Sequence, residues 1–237
     1  MNIKQALTGA TLLAASSMAM ASPINVGGVV WDPDNFFDFQ AHGSVFETFA
    51  AQQGDSVSGF GILSEINSST GQNTASFCPS CELTYDFTFA NAQQTSPTGF
   101  TFDNIMVNVW VDNTPDYDAF VPANASDGTL FLQLTGNLLT GTLTSQGGLF
   151  LQSAAGTGVG LLDVVGGIAM GNFDTNGEAG GADLSFSSSF GALRTPLPSG
   201  HVFGGTIDLF GNTIPEPASL ALLGLGLLGM GRLRRKA

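Results

Sequence analysis

The sequence predicts an all-β fold, a single β-sandwich or jelly-roll-like domain, on three observations. Apolar residues alternate with polar ones in short runs, and no long stretch repeats at 3.6 residues. Turn-forming residues, above all the 32 glycines, fall between those runs. The composition, 43% apolar with 19 Phe, is that of a packed core and not of a disordered chain.

In chain order, the first 21 residues have the build of a secretory signal. Lys4 supplies a positive start, Ala6–Ala15 an apolar centre, and Ala19-Met20-Ala21 a small-x-small cleavage site, which places the mature start at Ser22. Val26–Trp31, Val45–Phe49 and Val57–Leu63 are weak strand candidates. Leu83–Phe89 alternates cleanly, with Leu83, Tyr85, Phe87 and Phe89 on one face, and Ile105–Val111 does the same. Thr129–Leu143 has the pattern of two strands joined near Gly136-Asn137. Val159–Val165 is ambiguous, whereas Leu184–Phe190 and Gly205–Phe210 are two more strands. About eight to eleven strands at this spacing, with no linker between them, give one domain over residues 22–214.

Cys78 and Cys81, in CPSC, are the only cysteines. An exported chain meets an oxidising environment, so a disulfide is expected. A redox pair would sit at a helix start, where the dipole lowers a thiol pKa, but this motif runs into a strand pattern. Two cysteines with no nearby His make a poor zinc site.

Charge narrows the partners. Of six basic residues only Arg194 falls within 22–214, against 18 acids, a net charge of −17. Such a surface repels nucleic acid and anionic lipid and attracts cations.

The C-terminal stretch, residues 215–237, differs in kind. Pro215-Glu216-Pro217 cannot continue a helix upstream, and Ala218–Gly231 is an uncharged run of 14 residues. As a helix it would span about 21 Å, short of the roughly 30 Å hydrocarbon layer. Arg232, Arg234, Arg235 and Lys236 would hold its end on the cytoplasmic side. A permanent single-pass anchor is one reading; a signal built for recognition and removal is the other.

This three-part order resembles the PEP-CTERM sorting signal of Gram-negative bacteria. The resemblance implies an exported substrate of exosortase, a membrane enzyme of the cysteine transpeptidase kind, with Pro215, Glu216 and Pro217 as the recognition residues. It implies transient contact with the inner membrane through the C-terminal helix, and a mature protein at the cell surface or outside the cell. Bacteria with such proteins typically make exopolysaccharide, biofilm or flocs. Gly28–Asp34 (GVVWDPD) and Asn172–Asn176 (NFDTN) further resemble stretches of flocculation-associated members.

Catalytic signatures are missing from the sequence: there is no G-x-S-x-G, H-E-x-x-H or phosphate loop. His42 and His201 are the only histidines. The expectation is therefore a non-enzymatic surface or matrix protein associating with exopolysaccharide or other surface polymers. A carbohydrate-binding module is the alternative, with Trp31, Trp110, Tyr85 and Tyr117 available to stack on sugars. An exported hydrolase is a third reading. No cofactor is required, but Asp174, Asn176, Glu178 and Asp183 place oxygens around a Gly-containing loop and could bind calcium. That spacing departs from an EF-hand, and plain turn capping is the competing reading.

Overall fold

The computed structural model describes residues 23–34, 38–50, 53–67, 77–95, 99–136, 139–145 and 154–214. The signal peptide read at 1–21 and the sorting tail read at 215–237 lie outside them. A hairpin of β1 (Ile24–Val26) and β2 (Val29–Trp31) comes first. It is followed by β3 (Phe39–Glu47), β4 (Val57–Ile66), β5 (Glu82–Gln94), β6 (Gly99–Asp112), β7 (Thr129–Gly136) and β8 (Leu139–Ser145). Then come β9 (Ala154–Gly166), a short helix α1 (Met170–Phe173), β10 (Leu184–Ala192) and β11 (Phe203–Gly211).

From β3 onward each strand pairs antiparallel with the next in sequence, except that β7 and β8 both pair with β6 and with β9, and the last strand pairs with the first. β11 runs along β3 from Phe203 opposite Glu47 to Gly211 opposite Phe39. The result is a closed, eight-stave, up-and-down barrel, which corrects the sandwich or jelly-roll expectation. Both folds need the same in–out alternation, and what separates them is whether the terminal strands meet. Closure also leaves no sheet edge to template pairing with another chain.

One local expectation holds, the two strands broken near Gly136-Asn137, and another is corrected. Residues 129–145 form two strands that lie end to end as one stave. Ile105 faces Gly136 and Phe102 faces Leu139 along the same β6, so the register runs through the break. Val26–Trp31 is not one strand but turns back at Gly27 and Gly28, both at positive φ, 62° and 99°. Two left-handed residues make the tight turn that matches strand twist in a two-residue hairpin.

Alternation sorts the side chains between barrel interior and outer wall. On β3, Phe39, Ala41, Gly43, Val45 and Glu47 are buried, while the residues that alternate with them are half-buried. Leu83, Tyr85, Phe87 and Phe89 of β5 and Ile105, Val107, Val109 and Val111 of β6 are buried as their patterns predicted. The stacked rings of Tyr85, Phe87 and Phe89 need floor space. A Cβ at Gly59 would come within 2.3 Å of the Phe87 ring, and one at Gly61 within 2.5 Å of the Tyr85 hydroxyl. Glycine on β4 thus makes room for the rings on β5.

One end of the barrel is plugged. The β1–β2 hairpin drives Trp31, fully buried, between Phe39, Phe131 and Phe173, with ring centroids 6.2, 6.2 and 5.3 Å away. Phe39 meets Phe173 edge-on at 4.7 Å. Asp38 seals this end by accepting both the backbone N–H and the hydroxyl of Thr213, each at 2.6 Å. Cys78 and Cys81 are joined in a disulfide and belong to the same buried cluster. So small a loop stabilises by only about 2 kcal/mol through chain entropy.

Candidate functional site

At the opposite end the described residues enclose a small cavity, a cup in which the inward-facing rows of several staves finish. Phe89 of β5, Phe100 and Phe102 of β6, Phe190 of β10 and Phe203 of β11 form its wall, with Phe49 just beyond β3. Phe203 lies 5.5 Å from Phe190 and 5.6 Å from Phe49, and Phe89 lies 5.9 Å from Phe102. The cavity is small, about 50 Å³.

Into this apolar cup points one acid. Glu47 is the last inward position of β3, and the strand's period of two brings its carboxyl inside the barrel. It is 6% exposed and has no hydrogen-bond partner for its carboxyl among the described residues. Burial pushes its pKa up to about 8, because a charged carboxylate loses its hydration there. At neutral pH the group is therefore a neutral acid able to donate one hydrogen bond. No other ionisable side chain lines the cup among the described residues.

The residues singled out from the sequence are placed elsewhere. Asp183 is buried, and its carboxylate accepts the backbone N–H groups of Val164 (2.8 Å), Thr175 (2.7 Å) and Asn176 (2.6 Å). Asp174 and Asn176 are exposed and joined to each other at 3.4 Å, and Glu178 is half-buried. The carboxylate of Asp183 thus organises the loop by capping its backbone. Among the described residues the three acids that converge within 4.8 Å are Glu82, Asp112 and Asp116. There too the groups hold backbone: Glu82 accepts from the N–H of Asp116 (3.2 Å) and Tyr117 (3.1 Å), and Asp112 accepts from that of Thr114 (2.9 Å). Burial raises the pKa of Glu82, against the lowering effect of those two backbone bonds.

The histidines sit on the outer wall. His42 pairs through Nδ1 with Asp208, whose other oxygen accepts the Ser187 hydroxyl at 3.3 Å. The acid therefore stands between serine and histidine, where a nucleophilic triad would have the histidine. His201 meets Ser199 at 2.8 Å and packs edge-on against Phe60 at 4.8 Å; burial lowers its pKa. No carboxylate holds its other ring nitrogen among the described residues.

Of the four aromatics considered for sugar stacking, Trp31 and Tyr85 are buried in the core, which corrects that expectation for both. Trp110 is half-buried on the outer wall and donates its indole N–H to Asp86 at 2.5 Å. Asn108 donates to the same carboxylate at 3.2 Å and accepts from Gln133 at 3.2 Å, giving a polar row across β5, β6 and β7. Tyr117 is half-buried on the β6–β7 connection, with its pKa raised to about 12 by burial.

The described residues thus form a closed up-and-down barrel, with the β1–β2 hairpin packed at one end and a small phenylalanine-lined cavity at the other. At its C-terminal side residues 213–236 match the model of the PEP-CTERM protein-sorting motif, so the chain carries that sorting signal. The motif marks it for export and exosortase processing, and hence for the cell surface or the medium. No curated protein and no solved structure matches the chain. The cup at Glu47 was missed from the sequence. Its only signal there was the in–out alternation from Val45 to Glu47, which puts the acid on the apolar face.

Proposed function

We propose that the protein is a non-enzymatic surface or matrix component, associating with exopolysaccharide or other cell-surface polymers and contributing to biofilm or floc. The sorting motif at residues 213–236 carries this reading, because it delivers the barrel to the place where such polymers lie. A flocculation-type assignment draws on the two sequence stretches noted above, which meet in the plug through Trp31 and Phe173. Intact mass of the protein from its host is the direct test. The expected product begins at Ser22 and ends near Pro215–Pro217, and a strain lacking the gene aggregates less. A product retaining Arg232–Ala237 would make the tail an ordinary anchor, and unchanged aggregation would remove the matrix role.

The row on the outer wall favours a second reading, carbohydrate binding. An indole flanked by a carboxylate and two amides offers a stacking face beside hydrogen-bonding groups for sugar hydroxyls. On this reading Trp110→Ala lowers binding to the host's own exopolysaccharide at least tenfold in a pull-down while the melting temperature moves little. Equal binding by the two proteins would end it.

A further inference from the structure

We infer that the phenylalanine-lined cavity at this end of the barrel binds a small organic cation with an apolar body, an alkyl- or arylalkylamine, whose ammonium pairs with the Glu47 carboxyl. Three observations converge on this chemistry, and none depends on the surface-matrix reading.

The first is the wall. Its six phenyl rings offer apolar surface for a hydrocarbon body, and the faces of such rings attract a cation. The second is the single acid aimed into it. Glu47 is nine-tenths buried without a hydrogen-bond partner for its carboxyl among the described residues. A buried polar group left this way is costly in a structural role, and a ligand that pairs with it removes the penalty. The third is the sign of the field. Residues 22–214 carry −17, and their only base, Arg194, is exposed on the β10–β11 connection and does not line the cup. An anion is repelled from this mouth and a cation is drawn to it. A cavity of about 50 Å³ takes only the ammonium head and the first carbons, so the rest of the apolar body lies along the phenylalanine rings at the rim.

Pairing has a proton balance. At neutral pH the acid is protonated and the amine arrives as an ammonium, so forming the ion pair transfers the carboxyl proton to the buffer. Two other titratable groups lie nearby. Tyr85 of β5 feels the charge of Glu47, and its own pKa is held well above the usual phenol value by burial. His201, beyond Phe60, is on the outer wall. Tyr85 stays neutral throughout the range of interest, and His201 does not touch the cup.

The test is calorimetric titration of the full-length mature protein with hexylamine, hexanol and hexanoate at pH 6.5 and 9, in buffers of different ionisation enthalpy. Hexylamine is expected to bind at least tenfold more tightly at pH 9 than at pH 6.5. About one proton is released at pH 6.5 and almost none at pH 9. Hexanol and hexanoate bind at least tenfold more weakly than the amine at pH 9. Glu47→Gln loses at least tenfold in amine affinity and keeps whatever hexanol binding there is. Ser188→Trp, which fills the cup from β10, abolishes both. Hexanol binding that equals hexylamine and weakens above pH 8 would mean that the acid serves as a hydrogen-bond donor to a neutral ligand, overturning the proposal. No amine binding, or amine binding unchanged in folded Glu47→Gln, would overturn it as well.

Discussion

Replacing Glu47 with glutamine makes the protein more stable at pH 8, by as much as about 5 kcal/mol, and leaves it nearly unchanged at pH 4. The sign follows from where the proton sits. In the folded barrel the acid keeps its proton up to about pH 8, whereas in the unfolded chain it loses it near 4.5. Below 4.5 both states are protonated and nothing is lost. Between the two values each pH unit removes about 1.4 kcal/mol from the folded state, and above 8 the full penalty remains. Glutamine has a similar shape and no proton to lose. Thermal melts of both proteins from pH 4 to 9 should therefore diverge steadily, by roughly 10 °C at the alkaline end. Parallel curves would mean that the carboxyl is solvated, and the cup with its single acid would have to be abandoned.

Asp183→Ala should act in the opposite direction, and lower stability. The substitution leaves the N–H groups of Val164, Thr175 and Asn176 without their acceptor in a buried or half-buried setting. Three such losses amount to about 3–5 kcal/mol. Urea unfolding checks the size, and the condition of the solvent checks the cause. A backbone cap is lost equally in EDTA and in excess calcium. If the wild type alone were stabilised by calcium and the variant were not, the loop at Asp174–Asp183 would be a metal site after all.

The strands with strict alternation were legible because one face packs inside the barrel and the other meets water. Leu83–Phe89 and Ile105–Val111 are of this kind. Val159–Val165 was ambiguous for a physical reason. In β9 the outward residues Val159, Leu161 and Val165 are themselves apolar and exposed, so both faces look alike in sequence. Closure was not legible at all. It depends on β3 meeting β11 across more than 150 residues, and no short window records such a pairing. Without closure there is no interior mouth, so an acid at the end of a strand pattern reads as a solvent-facing residue. The sequence could not separate the calcium reading from turn capping, because both use the same residues. Asx-rich loops present oxygens whether those oxygens take a metal or their own backbone. Only coordinates distinguish an Asp183 that points outward from one that caps its own loop.

The anchoring of Thr213 by Asp38 also sets a direction. β11 enters at the phenylalanine mouth and leaves at the plugged end, where Ile214 donates its backbone N–H to Asn172 at 2.8 Å. The β1–β2 hairpin packs at that end as well, so both extremities of the domain depart from one pole. The strand between mouth and plug covers roughly 20–25 Å along the barrel axis. The cup and the point at which the described chain leaves β11 therefore lie at opposite poles of the barrel, so a group held at one is kept a barrel's length from whatever meets the other.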